Sequence, residues 1–156
     1  MFTFVRNAFA LACVSTFIAS VTAESHTITF TNKCGKGTPT LVQNGNILST
    51  GGAYTHNGPI DSFIAYLQTG NCLLNGEHCT LVEGTLTNEG NSAADISLIP
   101  PHTFSVTSGF GFYNGCNGVG EDCKSANCPG AFTNPTNGKV VSCTAPNVDL
   151  AITFCD

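Results

Sequence analysis

Eight cysteines stand between Glu24 and Asp156: Cys34, Cys72, Cys79, Cys116, Cys123, Cys128, Cys143 and Cys155. Thiols in even number offer two chemistries, oxidation to disulfides or ligation of a soft metal. Cys123 and Cys128 are close, and His78 adjoins Cys79. Neither pattern has the C-x-x-C spacing of a zinc site, so four disulfides are the reading the spacing favours. Nucleophilic triads are disfavoured: no G-x-S-x-G elbow occurs, and every cysteine after Glu24 has a plausible partner.

The first residues say where those thiols are oxidised. Arg6 precedes an apolar run over Ala8–Val21, and Val21 and Ala23 supply small residues for cleavage. That is the pattern of a secretory signal at 1–23. The run is too short for a spanning helix, so no membrane anchor is predicted. The mature chain at 24–156 is a single domain with four Lys, no Arg and ten acids, a formal balance of −6. Its scattered lysines exclude nucleic acid and anionic membrane as partners. A cut after Ser25 instead opens a copper alternative, with His26 as N-terminal ligand and His56, His78 or His102 completing an imidazole set. The plainer reading makes His26 the third residue of the mature chain, at the head of a strand, and the preferred expectation is no cofactor and no metal.

The elements that position these groups read as strands. No window of a dozen residues has helical periodicity, while Thr, Val, Ile and Phe recur in short alternating runs. Strands are predicted at Thr27–Thr31, Thr40–Val42, Asn46–Leu48, Ser62–Gln68, Thr80–Thr87, Asp95–Ile99, Thr103–Thr107, Lys139–Cys143 and Asn147–Phe154. Asn44-Gly45 marks a two-residue hairpin. In the last strand Val148, Leu150, Ile152 and Phe154 share one face, opposite Asp149, Ala151 and Thr153. Ser49–Pro59 and Asn114–Asn137 read as turn-rich loops, the second crosslinked. With no Trp in the chain, Phe104, Phe110 and Phe112 are assigned to core packing and Tyr113 to the surface. The sum is an all-β sandwich or flattened barrel.

Several cysteine contexts resemble the thaumatin-like proteins: "TFTNKC", "LQTGNCLLNGEHC", "TLVEGTL", "ADISLI", "NGCNGVGEDCKSANCPGAF" and "VSCTAPNVDLAITFCD". The resemblance implies a thaumatin-like β-sandwich with disulfide-crosslinked loops, lacking most of the loop-rich second domain. It implies the pairs Cys34–Cys155, Cys72–Cys79 and Cys116–Cys143, and leaves Cys123 with Cys128.

The same resemblance implies an acidic cleft, associated in some members with β-1,3-glucan binding, antifungal action or weak glucan hydrolysis. Glu83 and Asp95 occupy matching positions, Gln68 stands where the family has a cleft arginine, and Pro100-Pro101 replaces a stretch that brings another aspartate. Hydrolysis requires two carboxyl groups flanking the glycosidic bond, roughly 5 to 9.5 Å apart. The plainer reading makes Glu83 a solvated strand residue and Asp95 a strand-edge residue. Binding needs only carboxylates and exposed rings, for which Tyr54, Tyr66 and Tyr113 are available. The preferred expectation is a secreted, monomeric, non-enzymatic binder of a cell-wall polysaccharide such as β-1,3-glucan, with a defence or antimicrobial role. The alternatives are an effector acting on an extracellular host or competitor protein, a weak endo-glucanase using Glu83 and Asp95, and the copper binder.

Overall fold

The computed structural model describes residues 23–156, so the signal predicted at 1–23 lies almost wholly outside the described residues. Eleven strands follow in order: β1 Ser25–Asn32, β2 Thr38–Gln43, β3 Asn46–Ser49, β4 Tyr54–Asn57, β5 Ile60–Gln68, β6 Leu81–Leu86, β7 Ser92–Ser97, β8 Ser108–Tyr113, β9 Gly120–Cys123, β10 Val141–Cys143 and β11 Asp149–Phe154. They form one sheet in the order β4-β1-β11-β8-β9 and a second in the order β10-β7-β6-β5-β2-β3.

The two sheets pack through the residues that alternation places inward. Ile28, Phe110, Phe112, Leu150, Ile152 and Phe154 come from the first sheet, and Leu41, Phe63, Ala65, Leu67, Val82 and Ile96 from the second. Phe110 and Phe112 meet edge to face at 6.3 Å. Each of the larger side chains among these contributes about 1.5–3 kcal/mol by leaving water. The outer face of the second sheet carries a smaller cluster of Val42, Tyr66, Cys72, Cys79 and Leu81, with Ile64 packed against it.

Local signals explain most boundaries. Asn44 and Gly45 both have positive φ, 51° and 73°, the requirement of the tight hairpin that joins β2 to β3. The structure departs from expectation at three places. Thr103–Thr107 is not a strand, because its polar groups go to Cys79 and Thr80: Thr103 N donates to Cys79 O, and Thr80 Oγ1 donates to Val106 O and accepts from Ser105 N. The ladder strand lies just beyond it, in β8. Within the stretches read as loops, β4 pairs with β1 and β9 pairs with β8, one at each edge of the first sheet.

Four disulfides fasten this frame: Cys34–Cys155, Cys72–Cys79, Cys116–Cys143 and Cys123–Cys128. These are the pairs the resemblance implies. Cys34–Cys155 spans 121 residues of sequence and Cys123–Cys128 only 5. In the chain-entropy view these loop lengths correspond to about 5 and about 2 kcal/mol, upper figures because the loops are nested. Replacing Cys34 and Cys155 with Ser should therefore lower Tm by roughly 10 °C more than replacing Cys123 and Cys128. Equal losses in thermal unfolding followed by circular dichroism would refute this ranking.

Candidate functional site

The expected acidic pair sits in the second sheet. Glu83 of β6 and Asp95 of β7 are directly opposite each other across an antiparallel pairing. Val82 and Gly84 flank Glu83, and Ala94 and Ile96 flank Asp95. Val82, Ala94 and Ile96 belong to the core, so both carboxyl groups stand on the outer face. There they line a cavity of about 300 Å³ together with Ser62, Phe63, Ile64, Gly84, Thr85 and Ala93.

A break in the β5–β6 ladder shapes this cavity. Ile60 pairs with Leu86 and Phe63 with Gly84, so Asp61 and Ser62 on one strand face only Thr85 on the other. Such a bulge bends its strand and splays the ladder. Ser62 takes φ 53°, an uncommon left-handed backbone for a residue with a side chain, and its N donates to Thr85 Oγ1 at 3.1 Å. Behind the carboxyls Gly84 leaves room for packing: a Cβ there would meet Ala93 O at 2.5 Å and Phe63 Cζ at 3.0 Å.

The electrostatics follow from the opposition. Burial first, then the neighbouring Glu83 charge and its hydrogen bond, push the Asp95 carboxyl up to about 7. Asp95 Oδ1 is buried and no N–H or O–H donor reaches it among the described residues. Asp95 thus keeps its proton at mildly acidic pH, as a buried carboxyl beside a like charge does.

The remaining site residues of the sequence reading lie elsewhere. Tyr66 is not a surface ring: it is 1 % exposed in the outer cluster, its hydroxyl donates to Leu74 O at 3.0 Å, and burial raises its pKa. Gln68 is committed to its own loop, donating to Cys72 O and accepting from Gly70 N and Cys72 N. Tyr113 is half-buried on the outer face of the first sheet, opposite Asp149, on the far side of the sandwich from Glu83. Of the histidines in the copper alternative, His26 and His56 are directly opposite across the β1–β4 pairing. His26 is fully buried, with Nδ1 2.6 Å from Val148 O and Nε2 3.1 Å from Glu24 Oε1. His102 Nδ1 is held by Gly76 O, and the described residues contain no group of three His, Cys, Asp or Glu arranged for a metal. What the sequence reading missed is the cavity wall at Ser62 and Thr85. Its signal is the broken alternation at Asp61-Ser62.

A raised carboxyl has a definite sign in stability. Between its ordinary value near 3.8 and about 7 the folded chain binds more protons than the unfolded chain, so this group's contribution falls as pH rises through that window. Asp95→Asn removes the effect. Its Tm should match the wild type near pH 4 and exceed it by a few degrees at pH 8, by calorimetry. An equal or lower Tm at pH 8 would show that the opposed charges cost nothing.

No family model matches the sequence, and no curated protein matches it. Solved structures do. The thaumatin-like xylanase inhibitor TLXI is 20 % identical, with a TM-score of 0.54, over 84 % of this chain and 99 % of that one. The protein elicitor MoHrip2 from Magnaporthe oryzae is 11 % identical, with a TM-score of 0.51, over 86 % of this chain and 100 % of that one. With two sheets, no helix among the described residues, and four disulfides, the chain has a small, thaumatin-like all-β fold.

Proposed function

We propose that this is a secreted, non-catalytic recognition protein that acts by binding an extracellular protein through the outer face of its second sheet. The observation that carries the reading is the Glu83–Asp95 pair, two acids opposed in a small open cavity with no cation or exposed aromatic ring in its lining. A site of that chemistry seeks a positive donor more than a sugar face. The reading is supported by the fold likeness to an inhibitor and an elicitor, and by the disulfide frame, which suits an oxidising compartment. A defence or virulence role belongs to the same proposal.

Glycan binding is the second reading. It rests on Ser62 and Thr85, hydroxyls beside the carboxyls at the cavity rim, which match the donors and acceptors of a sugar. One comparison separates the two. Immobilised wild type and the Glu83→Gln/Asp95→Asn variant are exposed to extracellular fluid and, separately, mixed with insoluble β-1,3-glucan. Retention of a defined protein by wild type, lost at least tenfold in the variant, together with no glucan retention, is the expected result. Pocket-dependent glucan retention without protein capture would replace the first reading by the second, and loss of neither would remove the pocket from both. Circular dichroism of the variant checks that the sandwich is intact.

A further inference from the structure

The cavity is specific about the kind of group it lacks. Two carboxyl groups point into one space, and Asp95 Oδ1 is buried there without a donor. Buried acceptors left without a donor are costly, so such an atom marks a place where a donor from outside is gained at a profit in free energy. The described residues do not supply one. The chain has no Arg between Glu24 and Asp156. Lys33 is paired with Asp156 and Lys139 with Glu121, while Lys36 and Lys124 are not among the lining residues.

The rest of the lining narrows the ligand further. Ile64 and Ala93 give the cavity apolar side chains, which suit the methylene stem of a long basic side chain. The head must then donate to two carboxyl groups at once, one of them through a buried oxygen. A guanidinium carries five N–H donors in a planar fork matched to carboxylates, whereas an ammonium is a compact, strongly hydrated point charge. A divalent ion is a poorer match, since no third His, Cys, Asp or Glu joins the pair among the described residues.

We propose that the outer-face cavity is a socket for one arginine side chain presented by the protein partner, with Glu83 and Asp95 as its acceptors and Ile64 and Ala93 against its stem. The proposal rests on the protein-binding reading above and names the part of the partner that enters. The socket also explains the missing internal cation: a lysine or arginine of the chain's own would fill the space and close the site.

The test uses the full secreted chain, carbon-13 labelled, with Ac-Gly-Arg-Gly-amide as probe and the citrulline peptide as its uncharged isostere. Side-chain carboxyl signals of Glu83 and Asp95 are followed by NMR. The arginine peptide should shift both signals saturably, at millimolar concentration, and lower the Asp95 titration midpoint by at least half a pH unit. The citrulline peptide should be at least tenfold weaker, and Glu83→Gln should abolish saturation by the arginine peptide. Equal responses to the two peptides, no response to either, or an arginine response untouched by Glu83→Gln would each overturn the socket. Pocket-dependent protein capture without an arginine response removes the socket and keeps the protein-binding reading. An arginine response without protein capture keeps the socket and removes that reading.

Discussion

The parallel pairing of β1 with β11, sealed by Cys34–Cys155, is the constraint on which the rest of the sandwich depends. Register runs from Ile28 opposite Leu150 to Asn32 opposite Phe154, and the disulfide follows immediately beyond. Lys33 N donates to Phe154 O and the Lys33 side chain meets Asp156, so the two segments are held past the last ladder bond. Parallel strands cannot be joined by a hairpin, and here nearly the whole chain is the connection. Bringing such distant segments together has a large loop-closure cost, which the crosslink removes from the folding equilibrium. Once β1 and β11 are adjacent, each offers its free edge to a local partner: β4 to one side, β8 and then β9 to the other.

The second sheet is fastened to that base by packing and by Cys116–Cys143, which ties the loop between β8 and β9 to β10. Its inner face carries the common core, so its outer face is free for other work. Half of that face is closed by the loop that Cys72–Cys79 staples down. Gly76 passes so close to Tyr66 and Leu81 that an added Cβ would lie 2.5 Å from Leu81 Cδ1, and Gln68 and Tyr66 hold the same loop by hydrogen bonds. The other half, beyond Ile64, stays open and holds the carboxyl pair. A rigid wall beside an open acidic cavity is a preorganised surface, and preorganisation lowers the ordering cost of association.

How far the sequence reveals this differs by element. The alternation in Asn147–Phe154 identifies β11 and its inward face, because a strand buried on one side must alternate. Asn44-Gly45 identifies its hairpin because few residues accept positive φ. The strands β4 and β9 leave no such trace: "YTHN" and "GEDC" are short edge strands with mostly exposed or half-exposed side chains, so nothing forces an apolar period on them. Thr103–Thr107 misleads for the converse reason, since β-forming residues there satisfy their polar groups on Thr80 and not on a ladder. At the site, Glu83 and Asp95 are legible through family likeness alone. Their direct opposition depends on the β6–β7 register, which residue types do not encode. Tyr66 shows the same limit: a tyrosine in an alternating run is buried or exposed according to what covers the face, and here a loop from later in the chain covers it.

The acidic pair is the strongest support for the proposal that this face serves recognition. Like charges directly opposite on neighbouring strands are destabilising, and an apolar or amide residue at either position would pack on the same face without that cost. Gly84, the bulge at Asp61-Ser62 and the left-handed Ser62 add further departures from an ideal ladder, in or beside the lining of the cavity. Around two carboxyl groups, they fit the proposed binding site. Two carboxyl groups directly opposite on neighbouring strands can both meet one donor group, which is what the proposed use of this face requires.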